Sequence, residues 1–110
     1  MARQAVRLNQ KVLEEVKAYR QALKAAKIPI TSIIIFGSQA KKTSHPGSDI
    51  DVAVISPRFG KDYHKDLIKL IRLRGSRFTM IEPHPLHPCD LNDRWSTFVQ
   101  EVKKYGIVIR

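Results

Sequence analysis

Two short apolar runs, residues 33–36 and 50–55, bracket a polar segment that carries Gly37, Ser38, Pro46, Gly47 and the aspartates Asp49 and Asp51. Each run has the length of a buried strand, so the segment between them is a connection tied to a sheet at both ends. Successive side chains of a strand alternate faces. Asp49 and Asp51 therefore point one way, and Ile50, Val52 and Val54 point the other way, into a core. Two carboxylates about 5 Å apart repel by about 3 kcal/mol at an effective dielectric of about 20, which calls for a compensating cation. At the end of the first run, Gly37-Ser38 offers close backbone approach and hydrogen-bond donors of the kind a phosphate takes. A carboxylate pair beside a phosphate cradle is the chemistry of a site for a metal-bound nucleoside triphosphate.

For Gly37 and Asp49 to meet at one edge of a sheet, the two strands must run antiparallel. Residues 39–42 form a single helical turn between them, its N-terminus toward the site with amide donors and a partial positive charge. His45-Pro46-Gly47-Ser48 makes a turn from which Ser48 orients the first carboxylate, while His45 is a solvated loop residue.

The flanking segments supply the cover. Leu8, Val12, Val16, Tyr19, Leu23 and Ala26 recur every three or four residues, which predicts a helix over 9–26, capped by Asn9 and ended before Pro29. Asp62 caps a second helix to Arg74, with Leu67, Ile68, Leu70 and Ile71 as its apolar stripe and Gly75 at its end. A third strand then begins near Arg77, with Phe78, Met80 and Glu82 on one face and Pro83 and Pro85 stopping its pairing. An acid among apolar residues needs a partner when buried, and a cation held by Asp49 and Asp51 would be that partner; the other reading of Glu82 is an exposed edge residue or an ion pair with a nearby lysine. Glu82, His84, His87, Cys89 and Asp90 suggest a zinc cluster. However, Pro83, Pro85 and Pro88 make the segment an extended loop, the spacing fits no zinc pattern, and His84 is left to line the mouth of the site. Asn92 or Asp93 caps a last helix to Tyr105, with Trp95, Phe98, Val99 and Val102 inward. Gly106 ends it, and strand 107–109 follows, able to pair with another copy of the chain if it lies at a sheet edge.

Gly37-Ser38, ten intervening residues and Asp49-Ile50-Asp51 together resemble the GSx10DxD signature of the DNA polymerase β-type nucleotidyltransferase superfamily. Nearly the whole chain is similar to the minimal nucleotidyltransferases, small proteins often encoded beside a HEPN-domain partner. Met80-Ile81-Glu82-Pro83-His84-Pro85 resembles the segment of that family's third carboxylate, with Glu82 where Asp is more usual. Residues 98–109 resemble its closing helix and strand. The resemblance implies an α+β, palm-like fold, a small mixed sheet flanked by helices. It also implies that Gly37 lets the backbone approach the triphosphate while Ser38 donates its hydroxyl to it. Lys41 stands where the family carries Arg or Lys, and Lys42 replaces a usual glycine. Asp49, Asp51 and Glu82 would hold one or two Mg²⁺ ions, with ATP as the nucleotide and a hydroxyl acceptor, in some family members a tyrosine of the HEPN partner.

Bulk properties narrow the alternatives. A chain of 110 residues has room for one core, so residues 1–110 are expected to form a single domain. No apolar run approaches a membrane span, nothing near the start resembles a secretion signal, and a lone Cys89 fits a reducing cytoplasm. The net charge of +10 is spread along the chain rather than gathered in one arm. Two other classes compete: a non-catalytic, nucleotide-binding antitoxin acting by contact, and a basic nucleic-acid-binding module that only the net charge and a few aromatics support.

Overall fold

The structure, a computed structural model, describes residues 3–4, 9–41 and 49–109. A two-residue strand, β1 (Arg3–Gln4), precedes the helix α1 (Gln10–Ala25). The Asn9 side chain caps α1 by accepting from the Lys11 N–H at 2.8 Å. Helical spacing turns Val16, Tyr19 and Leu23 to one side, where all three are fully buried. The helix stops ahead of Pro29 through the backbone itself. Lys27 adopts φ +64°, its N–H donates to the Lys24 carbonyl, and the Ile28 N–H donates to the Leu23 carbonyl. That termination drops Ile28 into the core.

Strand β2 (Ser32–Phe36) follows, with Ile33, Ile34, Ile35 and Phe36 all buried, as a strand covered on both faces requires. Gly37 leads into the short helix α2 (Ser38–Lys41), and β3 (Ile50–Ile55) returns antiparallel to β2 with Phe36 opposite Asp51. The expected antiparallel pairing is therefore present. Asp62 caps α3 (Tyr63–Arg74), accepting from the Lys65 N–H at 3.2 Å, and Gly75 ends it. Leu70 is buried, but Ile71 is 39% exposed instead of joining the stripe; Leu73 packs against the core in its place.

The third major strand differs from the expectation. Strand β4 (Ile81–Leu86) begins at Ile81 and contains both Pro83 and Pro85, while residues 77–80 form turns. It lies at the edge of the sheet, parallel to β3. The Met80 carbonyl accepts from the Ile50 N–H of β3 and the Leu86 carbonyl from the N–H of Ser56, just past its end, so even-numbered residues face β3 and the two prolines direct their donorless nitrogens outward. Proline on the open side of an edge strand forfeits no ladder bond. Phe78, Met80 and Glu82 do not share a face: Phe78 is buried in the core and Glu82 is exposed.

After a 3₁₀ turn (Pro88–Asn92) come α4 (Thr97–Tyr105) and β5 (Ile107–Ile109). Ser96, rather than Asn92 or Asp93, caps α4, and Trp95 is 86% exposed instead of facing inward. The sheet order is β1-β5-β2-β3-β4, with β5 antiparallel to β2 and parallel to β1. Strand β5 is thus not an edge. The backbone of Arg3–Gln4 occupies the side through which a second copy was expected to pair, and the basis for that homodimer is gone.

Two apolar layers hold the sheet. α1 and α3 cover one face over Ile33, Ile35, Val52, Val54 and Ile81. On the other, Phe98 and Val102 of α4, with Leu91, cover Ile34, Phe36, Ala53, Ile55 and Leu86. That second face also carries the acids.

Candidate active site

Alternation along β3 places Asp51, Ala53 and Ile55 on the α4 side, and along β4 it places Glu82, His84 and Leu86 there. The parallel register then sets Asp51 beside Glu82 and Ala53 beside His84. Ligand atoms of Asp51, Glu82 and His84 all lie within 4.8 Å of one another. The His84 Nε2 is 3.5 Å from Asp51 Oδ1 and 3.8 Å from Glu82 Oε1. Two carboxylates at such a distance repel by about 3 kcal/mol at an effective dielectric of about 20, less where water screens Glu82, whose side chain is 55% exposed.

The imidazole packs in a triad of rings with Phe36 and Phe98, which also touch each other at 5.2 Å between centroids. Phe36 lies edge-on to it at 5.1 Å between ring centroids, and Phe98 of α4 lies at 5.4 Å. With the ring packed in this way, Nε2 lies on the side of the acids. That nitrogen is shut off from solvent and has no hydrogen-bond partner. Two carboxylates and an unpartnered imidazole nitrogen form a donor set that fits a divalent cation.

Gly37 closes the opposite side of Asp51. Its φ is +73°, and a Cβ built there would collide with the Asp51 carboxylate oxygen and stand 3.2 Å from Cγ. Only glycine allows the turn after β2 to lie against the acid in this way. Ser38 follows as the first residue of α2 and is half-buried.

The other expected site residues are distributed as follows. Asp49 is exposed, one residue ahead of β3, and its carboxylate is not in the group formed by Asp51, Glu82 and His84. The side chain of Lys41, and all of Lys42, His45 and Ser48, lie outside the described residues. The zinc cluster does not form. His87 Nδ1 accepts from the Cys89 N–H at 3.0 Å while Asp90 Oδ2 accepts from the His87 N–H at 2.8 Å, so both side chains cap the 3₁₀ turn. His84 alone of that set joins the acids. Its signal in the sequence was the two-residue spacing from Glu82, which the prolines disguised as a loop.

The sequence profile of the nucleotidyltransferase domain matches residues 10–107. The chain belongs to the nucleotidyltransferase domain family. Solved structures agree with the fold. A Sulfolobus solfataricus protein assigned as a nucleotidyltransferase superposes with a TM-score of 0.66 at 16% identity, covering 89% of this chain and 78% of its own. A toxin–antitoxin structure with AMP-PNP superposes with a TM-score of 0.60 at 22% identity, covering 89% and 72%. No curated protein sequence gives a significant match. This nucleotidyltransferase domain therefore has the mixed sheet and flanking helices expected from its sequence. Among the described residues no helix is long and apolar enough to cross a membrane.

Proposed function

We propose that this nucleotidyltransferase domain transfers AMP from ATP to a hydroxyl on a partner protein, as the antitoxin of a HEPN-type toxin–antitoxin pair. The observation that carries the reading is the row in which Gly37, Asp51 and Glu82 meet on adjacent strands of one sheet face. A turn that admits backbone against phosphate, directly beside paired carboxylates, suits a triphosphate accompanied by Mg²⁺. Asp51 and Glu82, with Asp49 at the head of β3, are the residues that would hold Mg²⁺, which supplies charge neutralisation for the phosphates. Gly37 and Ser38 bind and orient the triphosphate. Glu82, the more exposed acid, faces the side from which an acceptor arrives and takes the proton of its hydroxyl. The acceptor oxygen bonds to the α-phosphorus, the bond from that phosphorus to the bridging oxygen breaks, and pyrophosphate leaves.

The partner assignment draws on the toxin–antitoxin neighbour, whose structure contains AMP-PNP. A charge of +10 also favours encounter with phosphates and acidic surfaces. The test measures Mg²⁺-dependent pyrophosphate release from ATP with the protein product of the adjacent gene present. Asp51→Asn is expected to abolish release, a loss of at least about a hundredfold, while the circular dichroism spectrum and melting temperature stay near wild type. Neutralisation of the partner that survived Asp51→Asn would mean that surface contact suffices, and the transfer reading would fail.

A further inference from the structure

Nothing in paired carboxylates requires a histidine between them, yet His84 is placed there and held. Phe36 and Phe98 fix its ring, and its Nε2 lies 3.5 Å and 3.8 Å from oxygens of the two acids. A buried nitrogen without a hydrogen-bond partner costs stability, by about 1–3 kcal/mol for a typical polar group. A neutral imidazole carrying its proton on Nδ1 presents a lone pair at Nε2, and a metal ion can take up that lone pair. The alternative occupant of the lone-pair position, a proton shared with Asp51, would give an ion pair; at 3.5 Å the two atoms are farther apart than a charge-assisted hydrogen bond.

We infer that His84 supplies an imidazole nitrogen to the metal position formed by Asp51 and Glu82, so that the site takes Mn²⁺ in preference to Mg²⁺. Mg²⁺ prefers oxygen ligands and gives up its water reluctantly, whereas a first-row transition ion gains from a nitrogen donor. Two carboxylates and one imidazole also leave positions open for nucleotide oxygens. The inference rests on the nucleotidyl-transfer reading only in taking the site to bind a divalent ion.

The experiment uses Mn²⁺ alone with the intact, nucleotide-free protein. Electron paramagnetic resonance titration gives the affinity, competition with Mg²⁺ gives the preference, and electron spin-echo modulation reports a directly bonded histidine nitrogen. Bound Mn²⁺ is expected to show that nitrogen. His84→Gln, which retains bulk and polarity, should remove the signal and weaken Mn²⁺ by about tenfold or more, with Mg²⁺ affinity changing far less. The wild-type spectrum decides the matter even if the variant folds poorly. Mn²⁺ bound without nitrogen coupling, yet released by Asp51→Asn, would overturn the role of His84 and leave the proposed reaction standing. Nitrogen-coupled Mn²⁺ in a protein that releases no pyrophosphate would support the ligand and sink the reaction. Absence of any Mn²⁺ binding overturns the inference outright.

Discussion

Gly37 and Asp51 occupy a space with no room for one more methyl group. Alanine at position 37 would have to adopt φ +73°, and its Cβ would push the Asp51 carboxylate away from Glu82 and His84. Gly37→Ala is therefore expected to lower stability by about 1–3 kcal/mol, read from the denaturant midpoint. It should also suppress pyrophosphate release under conditions where the variant remains folded. Full activity in this variant would show that the contact between turn and acid has no part in the chemistry. At this scale the sequence was informative about Gly37 and Asp51, because their spacing ties the turn after one strand to the strand that returns beside it; Glu82 came through the resemblance, since the face it was expected to share with Phe78 and Met80 does not form. The sequence was less informative about His84. The same side chain is a loop residue or a part of the site according to whether Pro83 and Pro85 end the strand or merely border its open side.

Helix α4 shows how a correct pattern can be extended too far. Phe98 and Val102 face the sheet as the periodicity predicts, but the helix begins at Thr97, so the stripe does not reach back to Trp95. Ser96 sets that start, with its Oγ accepting from the Val99 N–H at 3.2 Å. Ser96→Ala is expected to cost about 1 kcal/mol, measured by chemical denaturation. Because Phe98, in the first turn of the helix, lies against His84, fraying of the helix start should also broaden the His84 ring signals in an NMR spectrum. Sharp, unmoved His84 signals in the destabilised variant would show that α4 does not hold the ring. Strand β4 gives the complementary case. Two prolines looked like the end of a strand, whereas their nitrogens face the one direction in which a missing N–H costs nothing.

For the molecule as a whole, the layer opposite the site is tied together by Tyr19. From the middle of α1 its hydroxyl donates to the Leu70 carbonyl on α3 at 2.8 Å, and its ring meets Phe78 at 5.5 Å between centroids. Burial pushes the Tyr19 hydroxyl well above the ordinary phenol value of about 10, against a smaller lowering by the Arg74 guanidinium. The folded state thus keeps a proton that the unfolded chain releases above about pH 10. The stability linked to Tyr19 is complete below that pH and is lost as the pH rises further. Tyr19→Phe is expected to cost about 1 kcal/mol at pH 7 by loss of the hydrogen bond. The gap between wild type and variant should narrow as the pH is raised above about 10, as urea denaturation at a series of alkaline pH values would register. A gap that stayed constant would mean that the hydroxyl is not buried in this way.

Local order along the chain is enough to determine the two central strands, their antiparallel return and the helices that cover them. Each follows from side-chain alternation, helical period or the residues that cap and turn a backbone, all of which act within a few positions. Tertiary structure decided the rest: that β4 lies parallel at the edge with its prolines outward, that Arg3–Gln4 closes the side of β5, and that His84 comes to rest between Asp51 and Glu82. Those outcomes depend on register between segments far apart in sequence, and register is set by which faces the packed layers bury rather than by any residue's own neighbours.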